Sequence, residues 1–219
     1  MDLMIKLSKN TLASFSTKTK GHILRESLVL FNDQGFDSVT TAVIAKRSDV
    51  LEGSLWYHFN SKKDIVSAHI DLFLDVFKSE TKTFDETQAE TIIDNFFNTY
   101  RILWDFRYLF RDIFTNSIKD DEKIIQKIID VNKFLDDWVN AATLRAKDNG
   151  VLVMNEDDIE GVSEIILIIG RYWLDYSSKK YPEKDNEFYR KKGINLLIKA
   201  LHPYLSGESK IIMSSIYKE

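Results

Sequence analysis

The chain has 219 residues and no cysteine; 44% of its residues are hydrophobic and 29% are charged. This composition is typical of a soluble globular protein, and the lack of cysteine excludes disulfides and thiolate-bound metals. The longest apolar run, 165–169, is too short to span a bilayer, and lysines interrupt the apolar residues at the N-terminus, so we expect a cytoplasmic protein without a membrane partner. The small number of prolines and glycines favours long helices and an all-α fold.

The formal net charge of −4 is distributed unevenly. The first 64 residues contain nine Lys and Arg against seven Asp and Glu, and the rest of the chain carries the excess of acids. A positive N-terminal segment is the electrostatic footprint expected of a nucleic-acid binder. We assign 1–18 to an N-terminal arm. Its lysines are compatible with an arm along the DNA minor groove or with a frayed terminus.

Three helices and two turns are predicted between residues 18 and 59. The first helix, 18–34, ends at Gly35, where a positive φ angle costs glycine nothing. Thr40 or Thr41 supplies the N-cap hydroxyl of the second helix, which stops at Ser48 and Asp49. The third helix covers 52–59. The predicted inner face of the first helix consists of Ile23, Leu24, Leu28 and Phe31, and Leu55 and Phe59 face inward on the third helix. In the second helix Val43, Ile44 and Arg47 share one side and Ala45 permits a close crossing, and Val50 fills the space between the second and third helices.

The outer side of the third helix is rich in polar and aromatic side chains. Ser54, Tyr57 and His58 point outward, with Trp56 at the flank. Such groups contact phosphates and base edges when the second helix of a helix-turn-helix enters the major groove. The pattern therefore predicts double-stranded DNA as a partner.

The segment from about Thr19 to Ile70 resembles the DNA-binding domain of the TetR family of bacterial transcriptional regulators. The residues that carry the resemblance are Ile23, Leu28, Phe31, Gly35, Phe36, Thr40, Ile44, Ala45, Val50, the run 53–59, Ser61 and Lys62. It implies a helix-turn-helix domain over 19–64, a helical effector-binding and dimerisation domain over 65–206, and a tail over 207–219. We assign DNA contacts to Thr40, Thr41, Leu51, Glu52, Gly53, Ser54, Trp56, Tyr57, His58 and Lys62.

Several positions depart from the family pattern and leave the operator open. Asp49 stands where glycine is usual in the turn, although aspartate tolerates left-handed angles better than most residues. Ala42 and Val43 replace an arginine and an acid, and Leu51 and Glu52 replace small polar and basic residues. Glu52 has two interpretations: an acid in a first helical turn favours the helix dipole, and a carboxylate can accept a hydrogen bond from cytosine N4.

A fourth helix begins at Ser61 and connects the helix-turn-helix domain, called the reading head below, to the rest of the chain. Ser61 and Asp64 have the spacing of a capping box. Lys62, beside the free N–H groups of this helix start, is interpreted as a phosphate clamp, with a solvated surface lysine as the alternative. Beyond it, the apolar spacing predicts only helices, at 92–106, 108–117, 120–149, 156–178, 182–205 and 210–219, with Pro182 at the first helical position.

The helix over 156–178 is apolar on nearly every side and contains two glycines. Such a helix must be buried all round, either inside one chain or against a second copy, and the glycines would permit a close crossing. We predict a homodimer, and the TetR resemblance implies the same, with two reading heads ~34–36 Å apart. The predicted interface consists of Ile165, Ile169, Gly170, Trp173, Leu197 and Leu201.

Aromatic residues between 73 and 138 exceed what a plain aliphatic core needs. Aromatic rings with a few hydroxyls are typical of apolar ligand pockets, although the alternative is that they simply pack. The resemblance implies a small-molecule effector, here partly hydrophobic, whose binding moves the fourth helix and releases a repressor from its operator. The pocket is assigned to Phe73, Phe77, Phe97, Tyr100, Trp104, Tyr108, Phe114 and Trp138.

The sequence disfavours an enzyme. Its four histidines are dispersed, and it contains no Ser-His-acid grouping and no phosphate-binding glycine loop, so we expect no cofactor and no metal site. The competing hypothesis is a helical protein–protein interaction module with a weakened or vestigial DNA-binding head. Salt-dependent duplex binding distinguishes the two, because a working head loses affinity steeply as salt rises.

Overall fold

The computed structural model describes residues 7–81 and 87–216, and its regular elements are helices, as predicted. They are α1 Lys9–Ser14, α2 Thr19–Gln34, α3 Thr41–Arg47, α4 Glu52–His58, α5 Lys62–Thr81, α6 Ala89–Asp105, α7 Asp112–Ser117, α8 Glu122–Asp148, α9 Asp158–Lys180, α10 Asn186–Leu201 and α11 Gly207–Ile216, with 3-10 turns at Arg107–Phe110 and His202–Tyr204. None of the helices in these ranges is both long enough and apolar enough to cross a membrane.

The helix-turn-helix is fixed by local caps and turns. The Thr40 hydroxyl accepts a hydrogen bond from the Val43 backbone N–H at 3.3 Å, which confirms it as the N-cap of α3. Asp49 adopts the left-handed turn with φ 55°. Gly35 ends α2 with φ 80° and ψ 154°, a combination that is essentially restricted to glycine. The two turns therefore follow from the residues that occupy them.

The start of α10 differs from the prediction. The helix begins at Asn186 rather than at Pro182, because the Asp185 carboxylate accepts a hydrogen bond from the Phe188 N–H at 2.8 Å. An aspartate is a strong N-cap, so it sets the helix start, and Pro182 lies in the preceding turn.

The chain forms two compact units. The first comprises the described residues up to Lys78 together with Arg101–Val131, and the second comprises the remaining described residues. The first unit therefore contains the helix-turn-helix, α5 and a later segment, and it is larger than the 19–64 domain predicted from the sequence. Its fully buried large side chains are Ile23, Leu28, Phe31, Ile44, Leu55, Ile65, Ile70, Phe73, Phe77, Phe106 and Tyr108.

In the first unit, the N-terminal segment forms a helix that the sequence analysis did not predict. The Ser8 backbone N–H donates to the Asp105 carboxylate at 3.0 Å, and Thr11 is completely buried. Close packing continues to α2, since a Cβ added to Gly21 would lie 1.9 Å from the Ser16 carbonyl oxygen. Residues 7–16 are thus docked, and neither a frayed end nor a free arm describes them. The predicted arm residue Lys6 lies outside the described residues.

The end of α6 is joined to α2 by buried hydrogen bonds within the same unit. Asn32 donates from its side-chain amide to the Asp105 carbonyl oxygen at 2.6 Å and accepts from the Tyr108 backbone N–H at 3.1 Å. The buried Arg107 guanidinium donates to the carbonyl oxygens of Trp104 and Asn32. Because burial penalises the charge, the pKa of Arg107 is lowered to about 10.

His69 of α5 is a buried polar link in this unit. Its Nε2 lies 2.9 Å from the Leu24 carbonyl oxygen, and its Nδ1 lies 2.8 Å from the Tyr108 hydroxyl. A carbonyl oxygen only accepts, so Nε2 carries the proton and Nδ1 accepts from the tyrosine. Desolvation lowers the pKa of His69 from 6.5 to about 4, so the imidazole is neutral in the folded protein.

We expect His69 to make stability fall on acidification. In the unfolded chain the imidazole binds a proton below its ordinary pKa, whereas in the folded chain it does so only below about 4. The free energy of unfolding should therefore lose about 3 kcal/mol from this group between pH 7 and pH 4. Urea unfolding at both pH values tests this. His69→Gln should remove this part of the pH dependence, and His202→Gln, at an exposed histidine, should retain it.

Candidate nucleic-acid interface

The outward face of α4 is formed by side chains that the domain itself does not bury. Tyr57 is 86% exposed, Leu51 is 83% exposed and Trp56 is 42% exposed. Leu55 and Phe59 point the other way and are buried, which holds the helix on the core. The structure thus places the predicted outer residues of α4 on one accessible surface, with Ser54 and His58 half-buried at its edge.

The two helices of the helix-turn-helix are tied together at their N-termini. The Thr41 hydroxyl donates to Glu52 Oε1 at 2.8 Å, and both groups are accessible. The neighbouring hydroxyl of Thr40 serves as the cap of α3. Thr41 therefore orients the first acidic side chain of α4.

Lys62 has a different environment from either sequence interpretation. Its ammonium group donates to the carbonyl oxygens of Phe36 at 2.7 Å and Val39 at 2.9 Å, and it lies 4.0 Å from the centroid of the Phe36 ring. Desolvation lowers the pKa of Lys62. Two of its three N–H donors are thus used inside the domain, where the lysine braces the segment after α2 against the start of α5. A phosphate contact by this residue remains a prediction.

Neither packing nor backbone conformation within the described residues requires a glycine at position 53 of α4. No described atom lies within 4 Å of a Cβ built on it, and its backbone does not need a positive φ angle. Gly53 is the second residue of α4, where alanine is the better helix former by up to about 1 kcal/mol. The open space above Gly53 faces outward on the exposed side of α4. No packing contact among the described residues therefore requires a glycine at this position.

Gly53→Ala is expected to change folding stability and DNA binding in opposite directions. The free energy of unfolding should rise by up to about 1 kcal/mol because the helix gains a better residue. If this open surface lies against DNA, duplex affinity should fall, because the new methyl group occupies it. Chemical denaturation and fluorescence anisotropy with labelled DNA measure the two effects. Unchanged affinity in the stabilised variant would show that the space above Gly53 is not used.

Two family models match the chain over adjacent ranges. One, described as bacterial regulatory proteins of the tetR family, matches 23–68, and the other, described as a bacterial transcriptional repressor, matches 68–211. The chain belongs to the TetR family. It is a DNA-binding transcriptional regulator and not an enzyme, which confirms the resemblance drawn from the helix-turn-helix residues.

Relatives with similar sequences are transcriptional regulators. IcaR of Staphylococcus aureus, an HTH-type negative transcriptional regulator of the biofilm operon icaADBC, is 21% identical over 164 residues, which cover 74% of this chain and 87% of IcaR. AcrR of Shigella flexneri, an HTH-type transcriptional regulator, is 40% identical over 50 residues, or 23% of each chain.

Solved structures share the fold over most of the chain. A TetR-family transcriptional regulator from Marinobacter aquaeolei VT8 has a TM-score of 0.74 at 22% identity, with 91% of this chain and 97% of that chain covered. The SmeT–triclosan complex has a TM-score of 0.55 at 16% identity, with 87% and 93% covered. At these identities the likeness shows the TetR fold.

The residues predicted to line an effector pocket fall in both units. Phe73, Phe77, Trp104, Tyr108 and Phe114 belong to the first unit, and Phe97, Tyr100 and Trp138 belong to the second. Within the first unit the rings pack on each other and on neighbouring aromatics, with centroid distances of 5.6 Å for Phe73–Phe77 and 5.1 Å for Tyr108–Phe114. Seven of the eight are buried, and Trp138 is half-buried.

A cleft of about 420 Å³ lies between α8 and α9 in the second unit. None of the eight predicted pocket residues lines it. Its walls carry acids and one arginine, and Arg171 donates to Asp136 at 2.9 Å across the cleft. The lining residues are Asp136, Asn140, Glu160, Ser163, Glu164, Leu167, Ile168, Arg171 and Tyr172.

The predicted dimer interface divides into buried and accessible residues. Trp173, Leu197 and Leu201 are buried in the packing of the single chain, so they belong to the core of the second unit. Ile165 is exposed, and Ile169 and Gly170 are half-buried. The accessible apolar stripe of α9 consists of Gly161, Ile165, Ile168, Tyr172 and Tyr176.

Ile168, Tyr172 and Tyr176 are exposed on this stripe but are not among the interface residues predicted from the sequence. Their spacing indicates one helix face, because positions 161, 165, 168, 172 and 176 follow the helical period. The opposite face of α9 is equally apolar, however, and the sequence pattern alone does not say which of the two faces packs inside the chain.

Proposed function

We propose that this regulator is a homodimeric repressor that binds a two-fold symmetric operator through α3 and α4. The observation that supports this most directly is the exposed face of α4, where Leu51 is 83% exposed, Tyr57 is 86% exposed and Trp56 is 42% exposed. A recognition helix presents such a face to the major groove. The relationship to IcaR, a negative regulator, favours repression.

The accessible stripe of α9, defined above as Gly161, Ile165, Ile168, Tyr172 and Tyr176, supports dimerisation. Ile168 is 56% exposed and Tyr172 is 60% exposed, so a contiguous apolar face would meet water in a monomer. Gly161 and Gly170 each lower the stability of the helix, and no described atom lies within 4 Å of a Cβ added to either. Gly161 lies on this stripe, and a second copy crossing closely there accounts for both the exposed apolar face and the open space above that glycine.

We further propose that a small, partly hydrophobic effector releases the operator. The aromatic content of both units supports such a ligand, and the solved relative SmeT is a complex with triclosan. The effector would favour a conformation in which α5 moves, so that the spacing between the two reading heads no longer matches the DNA groove.

Selection from random and self-upstream duplex fragments at low and moderate salt tests the DNA-binding proposal. We expect enrichment of a two-fold symmetric sequence and affinity that falls steeply with salt. Tyr57→Ala should lose this binding, and Ile211→Ala, which truncates an apolar side chain of comparable exposure on α11, should keep it. An intact dimer that enriches nothing would favour the protein–protein interaction module with a vestigial head.

Tyr100 offers a polar group suited to an effector site. Its hydroxyl is buried and, within the described part of the chain, has no hydrogen-bond partner. Burial also raises the pKa of Tyr100 well above its ordinary value. An unpaired buried hydroxyl costs about 1–3 kcal/mol, and a ligand acceptor would recover that cost on binding.

Tyr100→Phe is therefore expected to stabilise the ligand-free protein by about 1 kcal/mol in urea unfolding. Tyr189→Phe is the matched control, because the Tyr189 hydroxyl donates to the Tyr181 carbonyl oxygen at 2.6 Å. That variant should instead lose about 1 kcal/mol. Equal losses in both variants would mean that the Tyr100 hydroxyl already has a partner.

A further inference from the structure

Two residues at the start of α4, Leu51 and Gly53, are poor choices for folding. Leu51 occupies the N-cap position without a side-chain cap, although serine, threonine, aspartate or asparagine there stabilises a helix by about 1 kcal/mol. Leu51 is also 83% exposed, so it gains little from burial. Gly53 weakens the helix without any packing reason. Conflicts between local folding rules and an observed sequence are expected where function selects the residues.

Glu52, between them, is held with one oxygen committed and one oxygen open. Its Oε1 accepts from the Thr41 hydroxyl at 2.8 Å, and its Oε2 has no hydrogen-bond partner among the described residues. A carboxylate close to DNA is repelled by the phosphates. A fixed carboxylate on the exposed face of the recognition helix is therefore favourable only where a hydrogen-bond donor of the DNA meets it.

We propose that Glu52 reads cytosine and Leu51 reads an adjacent thymine in each operator half-site, with Thr41 as the positioning residue. This inference rests on the proposed function, because it requires α4 to lie in the major groove. Leu51 and Glu52, two of the positions at which the chain departs from its family pattern, thereby receive base specificity.

The hydrogen-bond pattern of the major groove selects cytosine for Glu52. Guanine and thymine present only acceptors there, and adenine places the acceptor N7 beside its N6 donor, where a carboxylate is repelled. Cytosine presents the N4 amino group as a donor without a neighbouring acceptor on the same base. An open carboxylate oxygen therefore prefers cytosine to the other three bases.

The chemistry of the adjacent position follows from Leu51. An exposed branched apolar side chain forms no hydrogen bond with a base edge, but it packs favourably against the C5-methyl group of thymine. Gly53 has no side chain to hold the helix away from the groove, so the backbone of α4 can approach the bases closely. Leu51, Glu52 and Gly53 thus form one surface that reads the bases.

The test is selection from a library with randomised half-sites, followed by affinity measurements on single duplexes. The full chain should enrich a two-fold symmetric site with cytosine next to thymine. Glu52→Gln should change the preference at the cytosine position to adenine, because glutamine matches adenine N6 and N7. The affinity ratio between the cytosine and adenine duplexes should change by about 10-fold or more. Glu208→Gln, at an exposed acid on α11, should leave this ratio unchanged.

Replacing the thymine by deoxyuridine removes only the methyl group. The affinity of the unaltered chain should fall about four-fold, the effect of one buried methyl group, and that of Leu51→Ala should respond much less. Thr41→Val removes the hydrogen bond to Glu52 and should reduce the cytosine-to-adenine ratio. A purely structural tie between α3 and α4 would lower stability and leave that ratio as it is.

The outcomes separate this inference from the proposed function. In one outcome, a symmetric site is enriched, but Glu52→Gln does not change its cytosine-to-adenine ratio and deoxyuridine does not lower its affinity. That result overturns the base assignment and leaves the repressor proposal standing. Failure to enrich any symmetric site overturns both. A thermal melt of each variant shows whether it is folded.

Discussion

Ile168→Asp is expected to yield a folded monomer whose operator affinity is lower by about 100-fold or more. Ile168 lies on the accessible stripe of α9 and is 56% exposed, so a charge there should be tolerated in the single chain. In an apolar interface the same carboxylate would be buried without a partner, which costs several kcal/mol. A monomer loses the gain from linking two reading heads, which is typically 10²–10⁴-fold. Light scattering gives the mass and anisotropy gives the affinity.

Ile129→Asp is the matched control for this variant. Ile129 is 52% exposed on α8 and lies outside the α9 stripe, so the same substitution should leave the mass and the affinity unchanged. If Ile168→Asp remains a dimer at micromolar concentration, then the α9 stripe is not the interface between the two copies.

Gly193→Ala is expected to lower the free energy of unfolding by about 2 kcal/mol, although alanine is a better helix former than glycine and helix propensity alone would raise it. A Cβ added to Gly193 in α10 would lie 2.1 Å from the Tyr100 hydroxyl oxygen and 2.7 Å from Trp173 Cδ1. The Trp173 ring is buried and its Nε1 donates to the Tyr189 carbonyl oxygen at 2.7 Å, so it cannot move aside freely. The packing penalty therefore exceeds the gain of about 1 kcal/mol from replacing glycine in a helix.

Gly161→Ala is expected to change the free energy of unfolding in the opposite direction. It is also a helix-interior glycine, but its added Cβ meets no described atom within 4 Å, so it should gain up to about 1 kcal/mol. Both variants are best measured by urea unfolding in the Ile168→Asp background, where dimer contacts do not contribute. Adding Tyr100→Phe to Gly193→Ala should recover part of the loss, because the two sites are in contact. Equal stabilisation by both glycine substitutions would rule out the close packing at Gly193.

The parts of the fold that depend on neighbouring residues were predictable from the sequence. The N-cap of Thr40, the left-handed turn at Asp49 and the end of α2 at Gly35 are local events that each follow from one side chain. Long amphipathic helices such as α6 and α8 repeat their apolar residues often enough to be found by spacing alone. The family resemblance rested on the same local residues.

Features that depend on distant partners were not predictable. Helix α1 is short, and its Ser8 contacts Asp105, which is 97 positions away in the chain. The hydrogen bonds from Lys62 to the carbonyl oxygens of Phe36 and Val39 also join residues more than 20 positions apart, so the local sequence did not indicate them. The choice between the two apolar faces of α9 likewise depends on where α10 packs, and burial of Trp173 decides it.

The composition of the first unit sets a limit on the construction of hybrid regulators. Joining residues 1–64 of this chain to the effector domain of another regulator would remove His69, Asp105 and Tyr108, which hold α1 and α2 by buried and partly buried hydrogen bonds. Ser8 and Asn32 would then lack their partners, and the transplanted head would fold poorly even with every DNA-contacting residue intact. A reading head that is transferred to another regulator should therefore be discontinuous and include Arg101–Val131 together with the chain up to Lys78.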